Sequence, residues 1–181
     1  MPKAASKART LDSVEEFYAH ALAIEREAAE RYAEFTEYFD RRGEEVLAGL
    51  CRNLAGAERD HYENLKIACK SLALPAIPEG KYLWLEGSSP ETPARDAFYS
   101  IAQPQQLLQI ALEAECRARD FFVWIARTSA STPVKELAAI MAAEELDHVA
   151  WVRQALEYHG WRVDWDELMK QRLGPANPGG A

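Results

Sequence analysis

The pattern Glu-x-Asp-His occurs twice in this chain, as Glu58–His61 in "GAERDHYENL" and as Glu145–His148 in "AEELDHVAWV". Each copy lies inside the apolar stripe of a helical pattern. Counting back from Glu58, the residues on its face are Leu50, Cys51, Leu54 and Ala55. Counting forward, they are His61, Tyr62 and Leu65. Around Glu145 the same face carries Leu137, Ala138, Met141 and Ala142 behind, with His148, Val149 and Val152 ahead. A carboxylate withdrawn from water costs several kcal/mol or takes up a proton. A fold that buries this pair twice must therefore supply compensating charge.

Two further segments carry a matching signal. "AIEREAAERY" sets Glu25 between Ala21, Leu22 and Ala28, Ala29, Tyr32. "EAECRARDFF" sets Glu115 between Ala111, Leu112 and Ala118, Phe122. The order Glu, then Glu-x-x-His, thus repeats at an offset of about ninety residues.

Helical periodicity dominates, and no strand-like alternation competes with it. A first helix is predicted from Asp12, as N-cap, to Asp40, and "RRG" at 41–43 turns the chain. A second helix follows to about Ala73. Residues 75–104 hold five of the nine prolines and read as a long irregular crossover. A third helix spans 104–129. A fourth starts near Pro133 and ends at "YHG", with Gly160 as C-cap, and a short fifth helix is expected at 164–172. The expected organisation is a flexible basic tail over 1–11, an all-α domain over 12–173 and a loose tail over 174–181. Two helical hairpins joined by one crossover make a four-helix bundle.

Glu25 lies about fifteen residues before the first turn and Glu58 about fifteen after it; Glu115 and Glu145 lie about fourteen before and thirteen after the second. In antiparallel hairpins these positions are level. Four carboxylates and two imidazoles therefore converge on one layer, and the one basic residue near it is Arg119, a turn from Glu115. Two divalent cations would balance four carboxylates. The oxygen-rich donor set with one imidazole per ion suits iron(II) or manganese(II), whereas zinc favours tetrahedral nitrogen and sulfur ligands.

On these motifs, over roughly residues 12–160, the chain resembles the ferritin-like superfamily and, within it, rubrerythrin-type proteins. The resemblance implies Glu25, Glu58, His61, Glu115, Glu145 and His148 as ligands of two iron ions, manganese being the other candidate, with Glu58 and Glu145 bridging. Rubrerythrins usually add a rubredoxin-like domain with a four-cysteine iron. The three cysteines here, Cys51, Cys69 and Cys116, cannot form one, so electrons must come from a separate donor protein or small reductant. Rubrerythrins also carry a further Glu one turn beyond the third-helix ligand. Here that position is Ala118, which implies a more symmetric site. The implied activity is reduction of hydrogen peroxide or dioxygen, usually by a homodimer. Ferroxidation and iron storage form the alternative.

The formal net charge of −8 argues against nucleic acid or anionic membrane as partner, and no apolar run is long enough to span a bilayer. Widely spaced cysteines and the lack of a signal-peptide pattern suggest a cytoplasmic protein. Tyr32 and Tyr62 are expected to pack with satisfied hydroxyls, and Asp60 and Asp147 to be solvated or to lock the hairpins, with orientation of an imidazole as their other candidate role. His20, off the ligand stripe, reads as a surface residue, His159 as a helix-end residue, and Cys51 and Cys116 as small core residues. "KYLWLEG" at 81–87 is expected to pack the crossover onto the bundle or to join a dimer contact.

Overall fold

The first helix starts where a side chain can satisfy its free amides. Ser13 is extended, at φ −101° and ψ 135°, and its Oγ accepts from the Glu16 amide at 3.2 Å. Glu15 and Glu16 place negative charge on the positive end of the helix dipole. The cap is thus Ser13 rather than the expected Asp12. Asp12 instead accepts from the Ala130 amide at 2.6 Å and the Ser129 hydroxyl at 3.1 Å, tying the start of the first helix to the distant second hairpin turn.

In the computed structural model, which describes residues 10–157, the four helices are α1 (Val14–Arg41), α2 (Glu45–Ala68), α3 (Pro104–Thr128) and α4 (Thr132–Glu157). A single 3-10 turn, Ala97–Ser100, interrupts the crossover, and no strand occurs among the described residues. The expected helix at 164–172, the Gly160 cap, His159 and the 174–181 tail lie outside the described residues, as does most of the N-terminal tail. Gly43, at φ 71°, makes the left-handed turn between α1 and α2. α2 ends at Ala68, five residues short of the expected Ala73. Its last bonds tighten to an i→i+3 pattern there, with the Lys70 amide on the Ile67 carbonyl and the Leu72 amide on the Cys69 carbonyl. At the start of α3, Pro104 occupies the first turn and the Gln106 side chain accepts from the Ala102 and Gln103 amides.

α1 packs along α2 and α3 along α4, so the molecule is an all-α bundle of two hairpins. Its apolar core forms two clusters. One gathers Tyr32, Phe35, Phe39, Leu47, Leu107 and Leu108 with their neighbours; the other gathers Leu11, Phe17, Ile24, Phe121, Phe122 and Ile125. On every helix the repeated Glu and His residues fall between the two clusters. The polar layer is therefore sealed by packed hydrocarbon at both ends.

The crossover is pinned to the bundle at several points. Arg31 of α1 donates to the Pro93 carbonyl at 2.6 Å, Arg117 of α3 donates to the Pro90 carbonyl at 2.8 Å, and Arg95 pairs with Glu34. Leu83 and Trp84 pack against the second cluster, as "KYLWLEG" led us to expect, while Leu85 stays half-exposed. His20 corrects the sequence reading: it is 1 % exposed, not a surface residue. Its Nδ1 bonds the Glu16 carbonyl at 2.8 Å and its Nε2 accepts from the Leu83 amide at 3.0 Å, a pattern that requires the neutral Nδ1–H tautomer. Tyr82 and Trp84 meet its ring edge-on, and Phe121 stacks on it. No helix among the described residues is long and apolar enough to cross a membrane.

Candidate metal centre

Every buried carboxylate among the described residues belongs to one layer: Glu25, Glu58, Glu91, Glu115 and Glu145, each no more than 2 % exposed. The helical stripe explains four of them. Glu25 and Glu115 face inward from α1 and α3, and Glu58 and Glu145 from α2 and α4, each with its histidine one turn on. The structure thus brings together all six residues singled out in the sequence.

Two groups form within the layer. Glu25, Glu58 and His61 make one; Glu115, Glu145 and His148 make the other, joined by Glu91. Glu91 was missed by sequence reasoning. It comes from the Pro-rich crossover, where no periodicity marks a side chain as inward. It also breaks the symmetry that Ala118 implied, since one group has three donors and the other four.

Both imidazoles turn Nδ1 toward the carboxylates. His61 Nδ1 stands 3.7 Å from Glu25 Oε2 and 3.6 Å from Glu58 Oε2; His148 Nδ1 stands 3.4 Å from Glu115 Oε2 and 3.1 Å from Glu145 Oε2. The last of these alone is a hydrogen bond. Glu25 Oε2, Glu58 Oε2, Glu115 Oε2, Glu145 Oε1, both oxygens of Glu91 and His61 Nδ1 are buried without a hydrogen-bond partner. Orphaned polar atoms cost about 1–3 kcal/mol each. Two donors about 2.1 Å from a common ion, at angles of 90–120°, stand about 3.0–3.6 Å apart. Three of the four separations fall in that range, and only one of these is also a hydrogen bond. The cluster is capable of binding metal ions.

The electrostatics report the same frustration. Burial pushes Glu25 up to about 8, reinforced by Glu145 and Glu58 and opposed by His61. Burial likewise lifts Glu145 to about 7 and holds Glu91 well above the usual carboxylate range, with Glu58 and Glu25 adding to the latter. Burial works against a charged His61, yet its contacts with Glu25 and Glu58 outweigh it and raise the imidazole to about 10. Glu115 goes the other way: burial raises it, but His148 prevails and holds it below the usual value. Without a metal, protons must do the balancing.

The two imidazoles stack face to face at 4.4 Å, nearly parallel at 6°, and bridge α2 and α4. Trp151, one turn beyond His148, lies against that ring at 4.9 Å. Two clefts, of 290 and 470 Å³, reach the layer beside these residues; His61, His148, Asn64 and Trp151 line both. Asp60 and Asp147 are exposed at the clefts rather than buried behind an imidazole. Tyr32 packs on Phe35 as a core residue, but its hydroxyl is an orphan rather than satisfied; burial, then Glu115 and Glu58, push it well above its usual value. Tyr62 sits half-buried under the Lys66 ammonium. Arg119 pairs with Asp120 at 2.7 Å, and Cys116 is only half-buried, whereas Cys51 is core.

The sequence profile of the rubrerythrin family matches residues 16–82. A solved structure described as an uncharacterized conserved protein from Magnetospirillum magnetotacticum MS-1 is similar at 30 % identity, over 81 % of this chain and 95 % of that one, with a TM-score of 0.62. No curated protein matches the sequence.

Proposed function

Because the chain belongs to the rubrerythrin-like group of ferritin-fold proteins, we propose that it is a di-iron carboxylate oxidoreductase that reduces hydrogen peroxide or dioxygen with electrons from a separate donor. One observation carries the reading: five buried carboxylates and two inward-facing imidazole Nδ1 atoms at ligand-to-ligand spacing, with no buried Lys or Arg among the described residues to neutralise them. Glu25, Glu58 and His61 would hold one ion and Glu115, Glu145 and His148 the other. The oxygen-rich set favours iron(II), with manganese(II) as the substitute.

Iron(II) held by these residues would supply electrons for the reduction of peroxide or dioxygen. The chain's own residues do the rest. The carboxylates fix the charge of the layer, and the two apolar clusters exclude bulk water from its ends. The clefts beside His61 and His148 have volume for a molecule as small as hydrogen peroxide or dioxygen, and the polar side chains of Asp60, Asn64 and Asp147 line them. Reduction of one peroxide to two waters takes up two electrons and two protons, and the protons enter from solvent. The three cysteines of this sequence are all free and cannot form a four-cysteine iron site, so the bundle would draw its electrons from a separate redox site or a small reductant. Free thiols favour a reducing compartment, the cytoplasm.

The test is anaerobic loading with iron(II), followed by stopped-flow mixing with one equivalent of hydrogen peroxide or of dioxygen. Rapid oxidation by either oxidant, with turnover when a reductant is supplied, is expected, and peroxide reacting faster would mark a scavenging peroxidase. Oxidation that ends in a growing ferric mineral, in a shell of many chains rather than a homodimer of the 20.4 kDa protomer, would favour the storage alternative. Loaded iron(II) that reacts with neither oxidant would refute both.

A further inference from the structure

The crossover does more than connect the hairpins. Glu91 is 0 % exposed, neither of its carboxylate oxygens has a hydrogen-bond partner, and its ligand atom lies within 4.8 Å of those of Glu115, Glu145 and His148. The segment that carries it is held from both sides. Arg117 grips the carbonyl of Pro90, the residue before, and Arg31 grips that of Pro93, two residues after. Arg31 and Arg117 are themselves only partly exposed, and the prolines at 90 and 93 fix φ on either side of the site. An unpaired glutamate with no role in a buried layer would be expelled to solvent at little cost from an irregular loop. This one is anchored inward by two cationic clamps from two helices.

Resting on the di-metal reading above, we infer that Glu91 is a seventh ligand of the centre, supplied by the crossover to the ion held by Glu115, Glu145 and His148. Helix α3 offers no carboxylate one turn beyond Glu115, because Ala118 stands there, fully buried. The extra carboxylate reaches the layer from a different element. The two groups therefore differ in what they offer: Glu25, Glu58 and His61 in one, and Glu91, Glu115, Glu145 and His148 in the other. Arg31 and Arg117 act as positioning residues, fixing the backbone from which Glu91 projects.

The experiment is an anaerobic calorimetric titration of the full chain with cobalt(II), an ion that resists oxidation, with the visible spectrum recorded at each step. Wild type, Glu91→Gln and Glu91→Asp are compared, and far-UV circular dichroism checks the fold of each. Wild type should bind two ions. Glu91→Gln keeps the volume and removes the charge, and should weaken one site by at least about tenfold, change the visible band of that ion and leave the other site unchanged. Glu91→Asp should fall between the two, and decides the matter if the Gln variant does not fold. Wild-type affinity and spectrum at both sites in the variants would overturn the assignment, as would equal weakening of both. Failure of the wild type to bind cobalt would instead strike the di-metal reading itself.

Discussion

Single residues here are fixed by partners far away in sequence. His20 uses both ring nitrogens, one on its own helix and one on the crossover, inside an aromatic enclosure. His20→Phe would keep much of the ring area but leave the Leu83 amide without its acceptor. A loss of about 1–3 kcal/mol is expected in urea denaturation, with metal binding intact; a change within error would show that solvent replaces the bond. The residue also shows where sequence reasoning stops. The six Glu and His positions were legible because each interrupts an apolar stripe, and a charge in such a stripe demands an explanation. His20 lies five residues from Glu25, off that stripe, and its position alone points to a surface residue. It is buried because non-helical chain covers its face, and periodicity along one helix carries no information about what an irregular segment will cover. The signal that could have found it was the apolar "YLWL" run, which needed a surface to cover. Glu91 was hidden for the same reason. Trp151, three residues after His148, continues the same stripe and is legible from periodicity.

At the scale of elements, the bundle was legible and its edges less so. Proline, glycine and the polarity shifts located four helices, but Asp12 and Ser13 are both good caps, and the structure uses one for the helix and the other for the α3–α4 turn. The end of α2 gave no glycine signal to read. The crossover holds its functional residue through two arginine–carbonyl bonds, so its order should depend on them. Arg31→Met or Arg117→Met removes one charge-assisted bond of about 1.5 kcal/mol, and each should speed amide exchange in the peptide spanning residues 86–95 by about tenfold. The helices should be unaffected. Unchanged exchange in that peptide would mean that packing alone fixes the segment.

For the whole molecule, the buried layer couples stability, pH and metal. In the metal-free protein Glu25 is raised from 4.5 to about 8, Glu145 from 4.5 to about 7, and His61 from 6.5 to about 10. Each folded value exceeds the unfolded one, so the folded state binds these protons more tightly. Their stabilising effect is complete below the unfolded values and is lost as pH rises through the folded ones. Glu115, held low, acts in the opposite sense, and only in acid. The melting temperature of the metal-free protein should therefore fall as pH rises from about 6 to about 9. Metal displaces the same protons, so loading at neutral pH should release protons to the buffer and abolish or reverse that slope. Parallel melting curves with and without metal would contradict the coupling.

If the buried layer holds two ions, iron should bind in a fixed ratio to the chain. The most direct test is elemental analysis of protein loaded anaerobically with iron(II) and then desalted, alongside the Glu58→Ala/Glu145→Ala variant. Wild-type protein should hold about two irons per chain and the variant almost none. Retention of both irons by the variant, or none in the wild type, would contradict this prediction.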